Sequence, residues 1–303
     1  MPANPIGALE RAQGLLEEGR PAAAFSALPR AVPFALKAER EFLAAEALRA
    51  QGYFDKAQRL YRAALGRGLD RGLELEALLG LVRISRSLGR VPEGRRTLAR
   101  AAKLARGGER ESLELEGALL DRAAGLYPRS LSRLGRLLAK ARKEKDHGAE
   151  GFLLWATGGA RRFAGDLDGA RRDFLDSLKA ARRARDASGE IYALFGLAGV
   201  SRILGRVDDS RRFYEDAGRR LRRSDDVFGR AYAHCGLANA LRQLGRWREA
   251  ERHYGRSRVL YASLGDRVDL AYVDWGLGQV YLKTGRLPRA EAATRLARAG
   301  FAS

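Results

Sequence analysis

A glycine followed by a small residue five positions on, a large one at nine and a small one at twelve recurs through this 303-residue chain, every 40 residues in its second half. Three stretches align without gaps: GLAGVSRILGRVDDSRRFYEDA from Gly196, GLANALRQLGRWREAERHYGRS from Gly236 and GLGQVYLKTGRLPRAEAATRLA from Gly276. Their turn glycines are Gly205, Gly245 and Gly285; the same glycine stands upstream at Gly165 and Gly125, and in shorter copies at Gly89, Gly52 and Gly19. Such a unit cannot bury its own apolar face, so neighbouring units must stack to make a core. A length that would otherwise suggest two globular domains is therefore read as one array of eight units over residues 1–303.

Each unit reads as two helices around the glycine. Ahead of it, apolar residues recur at helical spacing, as in Ala233, Leu237, Ala240 and Leu244. The glycine supplies the left-handed turn that ends the first helix. The small residues after it (Ala57, Ala170, Ser210, Ala250, Ala290) let two helices approach, and the large ones (Tyr61, Phe174, Tyr214, Tyr254) fill the space beyond. A second small residue follows at Ala64, Ser177, Ala217, Ser257 and Ala297.

This pattern, with small residues at the eighth position of the unit (Gly158, Ala198, Ala238, Gly278), resembles the tetratricopeptide repeat family over essentially the whole chain. The longer copies are similar to the 40-residue subclass of spindle-orientation adaptors and bacterial quorum-sensing peptide receptors. The family's tryptophan at position four is absent (Leu154, Leu194, His234 and Asp274 stand there). The resemblance implies an all-α, right-handed α-solenoid of about eight helix-turn-helix repeats, with the first helices lining a concave groove. The ligand-contacting positions it implies are the second, fifth, ninth and twelfth of the first helix. The second gives Phe152, Tyr192, Tyr232 and Tyr272, and the fifth gives Trp155, Phe195, Cys235 and Trp275. The ninth gives Gly159, Gly199, Asn239 and Gln279, and the twelfth gives Arg122, Arg162, Arg202 and Arg242. The second-position aromatics serve either the groove or the contact with the neighbouring first helix. Trp155, Phe195 and Trp275 are the stronger groove residues, because the core positions of their helices are filled by others. Gly159 and Gly199 would leave room for a ligand backbone, and Asn239 and Gln279 could bond to it. The terminal ridge of Leu287, Ala290, Ala293 and Ala297 reads as uncapped, a place for self-association or an end-on partner.

Charge narrows the partner. Fifty-seven Lys+Arg against 37 Asp+Glu give a formal net charge of +20, spread along the chain, and 49 of the 57 are Arg. The Arg-over-Lys choice is what a GC-rich genome writes, but the excess over acids is not. Arginines along a groove focus positive potential and bind carboxylates or phosphates bidentately, which favours an acidic protein or peptide.

Known chemistry is hard to find. Cys235 is the only cysteine, and His147, His234 and His253 form no metal-binding spacing and read as surface or packing residues. There is no P-loop, no GxSxG elbow and no HExxH pair. Acid pairs such as Asp208–Asp209 and Asp225–Asp226 suit helix starts. No cofactor and no catalysis are expected, and no signal peptide or membrane span is seen, so the expected location is cytoplasmic. The leading reading is a peptide-binding scaffold or adaptor. One alternative is a solenoid that binds single-stranded RNA or DNA, on the strength of basicity and aromatics. Arg171, Arg172, Arg211, Arg212, Arg219, Arg220, Arg222 and Arg223 on the second helices would serve it, though acids interleave with them. The other is a regulatory receptor of the quorum-sensing type.

Overall fold

The turn glycines do what a left-handed helix end requires. Gly19, Gly52, Gly89, Gly125, Gly165, Gly205, Gly245 and Gly285 all have φ between 70° and 93°, and each stands between two consecutive helices. In this computed structural model, which describes residues 4–301, sixteen α-helices follow one another and no strand occurs among the described residues. None of these helices is long and apolar enough to cross a membrane.

The chain groups into two compact units, one ending at Leu137 and the other beginning at Leu138. The first holds α1 (Pro5–Glu17), α2 (Pro21–Ala27), α3 (Lys37–Ala50), α4 (Phe54–Arg67), α5 (Arg71–Ser87), α6 (Val91–Leu104) and α7 (Glu109–Ala123). The unit boundary falls within α8 (Tyr127–Glu144). The second unit holds α9 (His147–Phe163), α10 (Leu167–Ala184), α11 (Ala187–Ile203), α12 (Val207–Arg220), α13 (Val227–Gln243), α14 (Trp247–Leu264), α15 (Arg267–Lys283) and α16 (Leu287–Phe301).

Within the second unit each helix packs on its pair-mate, and α10, α12 and α14 pack on the first helix of the next pair. The first helices also touch in series, α9 on α11, α11 on α13 and α13 on α15. The sequence sets this registry. Ala170, Ser210 and Ala250 are fully buried where paired helices meet. The aromatic four residues on then lies against a glycine of the next first helix: Phe174 on Gly196, Tyr214 on Gly236, Tyr254 on Gly276. A Cβ on any of these glycines would overlap the ring. The first unit repeats the device with Tyr61 on Gly80, inside a core built from Phe42, Leu43, Leu48, Tyr61 and Ile84.

The last pair departs from expectation. Ala290, Ala293 and Ala297 are buried, so they do not form an open ridge. Their spacing of three and four residues turns them toward α15, and the large apolar side chains that this helix exposes include Leu287, Leu296 and Phe301. Where the three preceding pairs carry Phe174, Tyr214 and Tyr254, this one carries Thr294, which lines a cavity of about 810 Å³ with Gln279, Leu282 and Leu287.

Candidate functional site

Residues three and seven apart share a helix face, and in α9, α11, α13 and α15 that face carries the aromatics and arginines singled out above. The rings form a continuous series. Phe152 meets Trp155 at 5.6 Å between centroids, Trp155 meets Tyr192 at 6.1 Å, and Tyr192 meets Phe195 at 5.6 Å. Phe195 meets Tyr232 at 5.0 Å, and Tyr232 stacks with Phe228 at 6.3 Å. Most of these contacts are tilted or edge-to-face, the arrangement that ring quadrupoles favour.

Exposure along the series is uneven, and it corrects the sequence reading. Phe195 is 4% exposed, enclosed by Tyr192, Tyr214 and Tyr232, so it supports the face from beneath and offers no open contact area. Tyr192 and Tyr232 are half-buried. The Tyr192 hydroxyl donates to Asp226 at 3.0 Å, which spends its polar end inside the fold. Open rings stand at the two ends: Phe152 with half-buried Trp155, and Tyr272 with Trp275, 55% and 43% exposed. Phe152, Trp155, Tyr192 and Gly189 line a cavity of about 240 Å³.

The arginine column differs between the two units. In the second, Arg162, Arg202 and Arg242 are half-buried and form no ion pair among the described residues. Arg162 lies over the Phe163 ring at 4.7 Å, and Arg242 over Trp275 at 5.4 Å while donating to the Tyr254 hydroxyl at 3.4 Å. Stacking on a ring partly offsets the loss of water around a guanidinium, and it leaves the planar fork free to take an anion. Arg122 is half-buried in the first unit. The same position, three residues before a turn glycine, also holds Arg49 and Arg86, which the sequence reading passed over although the offset marks them. These two are neutralised internally. Arg49 bonds Glu46 at 2.6 Å and Tyr61 at 3.2 Å, and Arg86 faces buried Glu116 at 3.8 Å.

Two further expectations change. Gly199 makes room for Arg162, whose guanidinium would meet a Cβ placed there, and not for a ligand backbone. Asn239 accepts from Tyr254 at 2.8 Å and donates toward Cys235, so it serves the fold, whereas Gln279 lines the open cavity at α15 and α16. Burial pushes the Cys235 thiol up to about 12, which keeps it protonated and unreactive. His234 and His253, read as surface or packing residues, meet across α13 and α14 with their Nδ1 atoms 3.0 Å apart. No group of three or more His, Cys, Asp or Glu suited to a metal occurs among the described residues.

The tetratricopeptide repeat family model matches residues 189–258 and, overlapping them, 229–302. No curated protein matches the chain. Among solved structures, a Rap protein complexed with competence and sporulation factor has a TM-score of 0.65 at 12% identity, over 89% of this chain and 77% of that one. Aspartyl phosphate phosphatase F from Bacillus subtilis follows at 0.61 and 13%, over 88% and 70%. A tetratricopeptide repeat protein from Parabacteroides merdae gives 0.52 and 17%, over 87% and 93%. At such identities the likeness is one of fold, the all-α helical-repeat class.

Proposed function

We propose, from the premise that residues 189–302 are tetratricopeptide repeats, that this chain is a non-catalytic interaction module. Its second unit takes an acidic peptide segment of a partner protein along the shared face of α9, α11, α13 and α15. The observation that carries this reading is the row of Arg162, Arg202 and Arg242, half-buried and without ion pairs, flanked by the exposed rings of Tyr272 and Trp275 and by Trp155. Other half-buried arginines of the chain are paired with acids, among them Arg49 with Glu46 and Arg161 with Asp173. Three left open on one face favour a ligand that brings the negative charge.

The Rap likeness supports the receptor form of the same reading, since that neighbour holds competence and sporulation factor. Single-strand binding by the second helices draws less support. Arg211 pairs with Glu215 at 2.8 Å, Arg219 with Asp216 at 3.2 Å and Arg220 with Glu190 at 2.8 Å, which divides the field that a phosphate backbone needs. The test is titration with an acidic peptide pool and with a single-stranded oligonucleotide at two salt concentrations, for the native chain and for R162Q/R202Q/R242Q. Peptide binding should fall by about tenfold or more in the variant. Undiminished binding, or tight oligonucleotide binding with a steep salt slope, would overturn the assignment.

A further inference from the structure

Position four of the α13 unit is His234, on the face of that helix turned toward α12 and α14. A cavity of about 370 Å³ opens there, with an apolar floor that includes Tyr214, Leu221 and Leu237. Its charged rim is Arg219, Arg222, Arg230 and Arg256, opposed by the single carboxylate of Glu215. That carboxylate is already engaged by Arg211 at 2.8 Å. Arg219 is turned to Asp216, but Arg222, Arg230 and Arg256 form no ion pair among the described residues. The Nε of Arg230 is buried without a hydrogen-bond partner, a condition that is costly in a folded protein and calls for an explanation.

The two histidines complete the wall. With Nδ1 atoms 3.0 Å apart, one imidazole must donate and the other accept, so the two are not both charged. Burial first, then His253, Arg256 and Arg230, hold His234 down to about 4. Burial, Arg256 and Arg252 likewise hold His253 down, against the opposing pull of Glu249 and Glu215. A metal cation is the wrong occupant, since it would meet unpaired guanidiniums and only two imidazole ligands. The carbonyl end of α12 opposes an anion, but the Leu221 N–H and Arg222 Nε already take carbonyls there.

We propose that this cavity binds the phosphate group of a small phosphorylated molecule, held by Arg222, Arg230 and Arg256 against the His234–His253 pair. A phosphate carries about 1.5 to 2 negative charges at neutral pH and three acceptor oxygens, which suits several converging guanidiniums better than one carboxylate would. The volume lies within the range of small-ligand pockets. An anion in place draws the imidazoles toward their charged form, and a single added proton on the outer nitrogen keeps the Nδ1 bond intact. The site is separate from the aromatic face of α13, and its failure would leave the peptide proposal standing.

The test uses the full chain and inorganic phosphate, added at constant ionic strength, with the imidazole resonances of its three histidines read by NMR as pH is varied. Phosphate should shift His234 and His253 saturably and raise their midpoints, while His147, outside the cavity, stays unmoved. R222Q/R256Q, which changes two exposed side chains, should weaken the effect by about tenfold or more. His147 shifting in parallel, acetate saturating the pair equally well, or the variant binding like the native chain would each sink the proposal. So would the absence of any phosphate-dependent shift.

Discussion

One methyl group at position 236 measures how tightly the repeats are seated. Gly236 lies under the Tyr214 ring, so Gly236→Ala forces the ring or the helix to move and should cost about 1–3 kcal/mol. Gly255, inside α14 with nothing within 4 Å of an added Cβ, gives the opposite sign. There Ala should stabilise by about 0.4–1 kcal/mol, because only the unfolded chain loses freedom. Urea unfolding of the two variants checks both signs. The glycine column at positions 196, 236 and 276 is legible in the repeat alignment. What fills it is not, because the aromatic comes from the preceding unit's second helix and only folding brings the two together. Asp269 makes a second residue-scale case. Burial, then the neighbouring Asp266, pushes its carboxyl up to about 7 from 3.8. The native state therefore keeps a proton that the unfolded chain has released, and this group's favourable contribution declines as pH rises from about 4 to 7. Asp269→Asn, neutral throughout, should gain stability over the native chain at pH 8 and lose that advantage near pH 4, as read from urea midpoints at the two pH values.

At the scale of the element, each first helix of the second unit begins on an aspartate. Asp146, Asp186, Asp226 and Asp266 accept from the backbone N–H three residues on, at 2.9, 2.9, 2.6 and 3.0 Å. The glycine that ends each first helix was readable, and of these acids so was Asp226, since capping demands particular residue types at particular places. Less readable was the second use of one cap. Asp226 also accepts from the Tyr192 hydroxyl, which ties the start of α13 to the middle of α11. Asp226→Ala should cost about 2 kcal/mol, the upper end for a cap, and more than Asp146→Ala. Asp226→Asn should recover only part of the loss, because Gly229 donates to Oδ1 and Tyr192 to Oδ2, and an amide keeps one accepting oxygen, enough for the cap alone. Thermal unfolding of the three variants orders them. The arginine column was half legible for a related reason. Its 40-residue spacing shows from Arg122 onward, while Arg49 and Arg86 sit in shorter copies where the interval no longer points to them.

Across the whole chain, the same column divides into arginines that hold the fold and arginines left open, and the two groups should respond differently to substitution. Arg49 shares Glu46 and the fully buried Tyr61 in one hydrogen-bonded group, and Arg86 lies against Glu116, itself 3% exposed. Removing Arg49 strands a shielded carboxylate, so Arg49→Gln should cost about 3 kcal/mol or more. Arg86→Gln should cost less, because Arg83 still bonds Glu116 at 2.8 Å. Arg162, Arg202 and Arg242 have no acid to strand. Their single substitutions to Gln should each stay within about 0.5 kcal/mol of the native stability, while partner binding falls. Unfolding and peptide binding measured on the same five variants therefore separate the two roles. If R202Q proved as destabilising as R49Q, the open arginines would be structural, and the charge excess of +20 would lose its one ordered link to a partner.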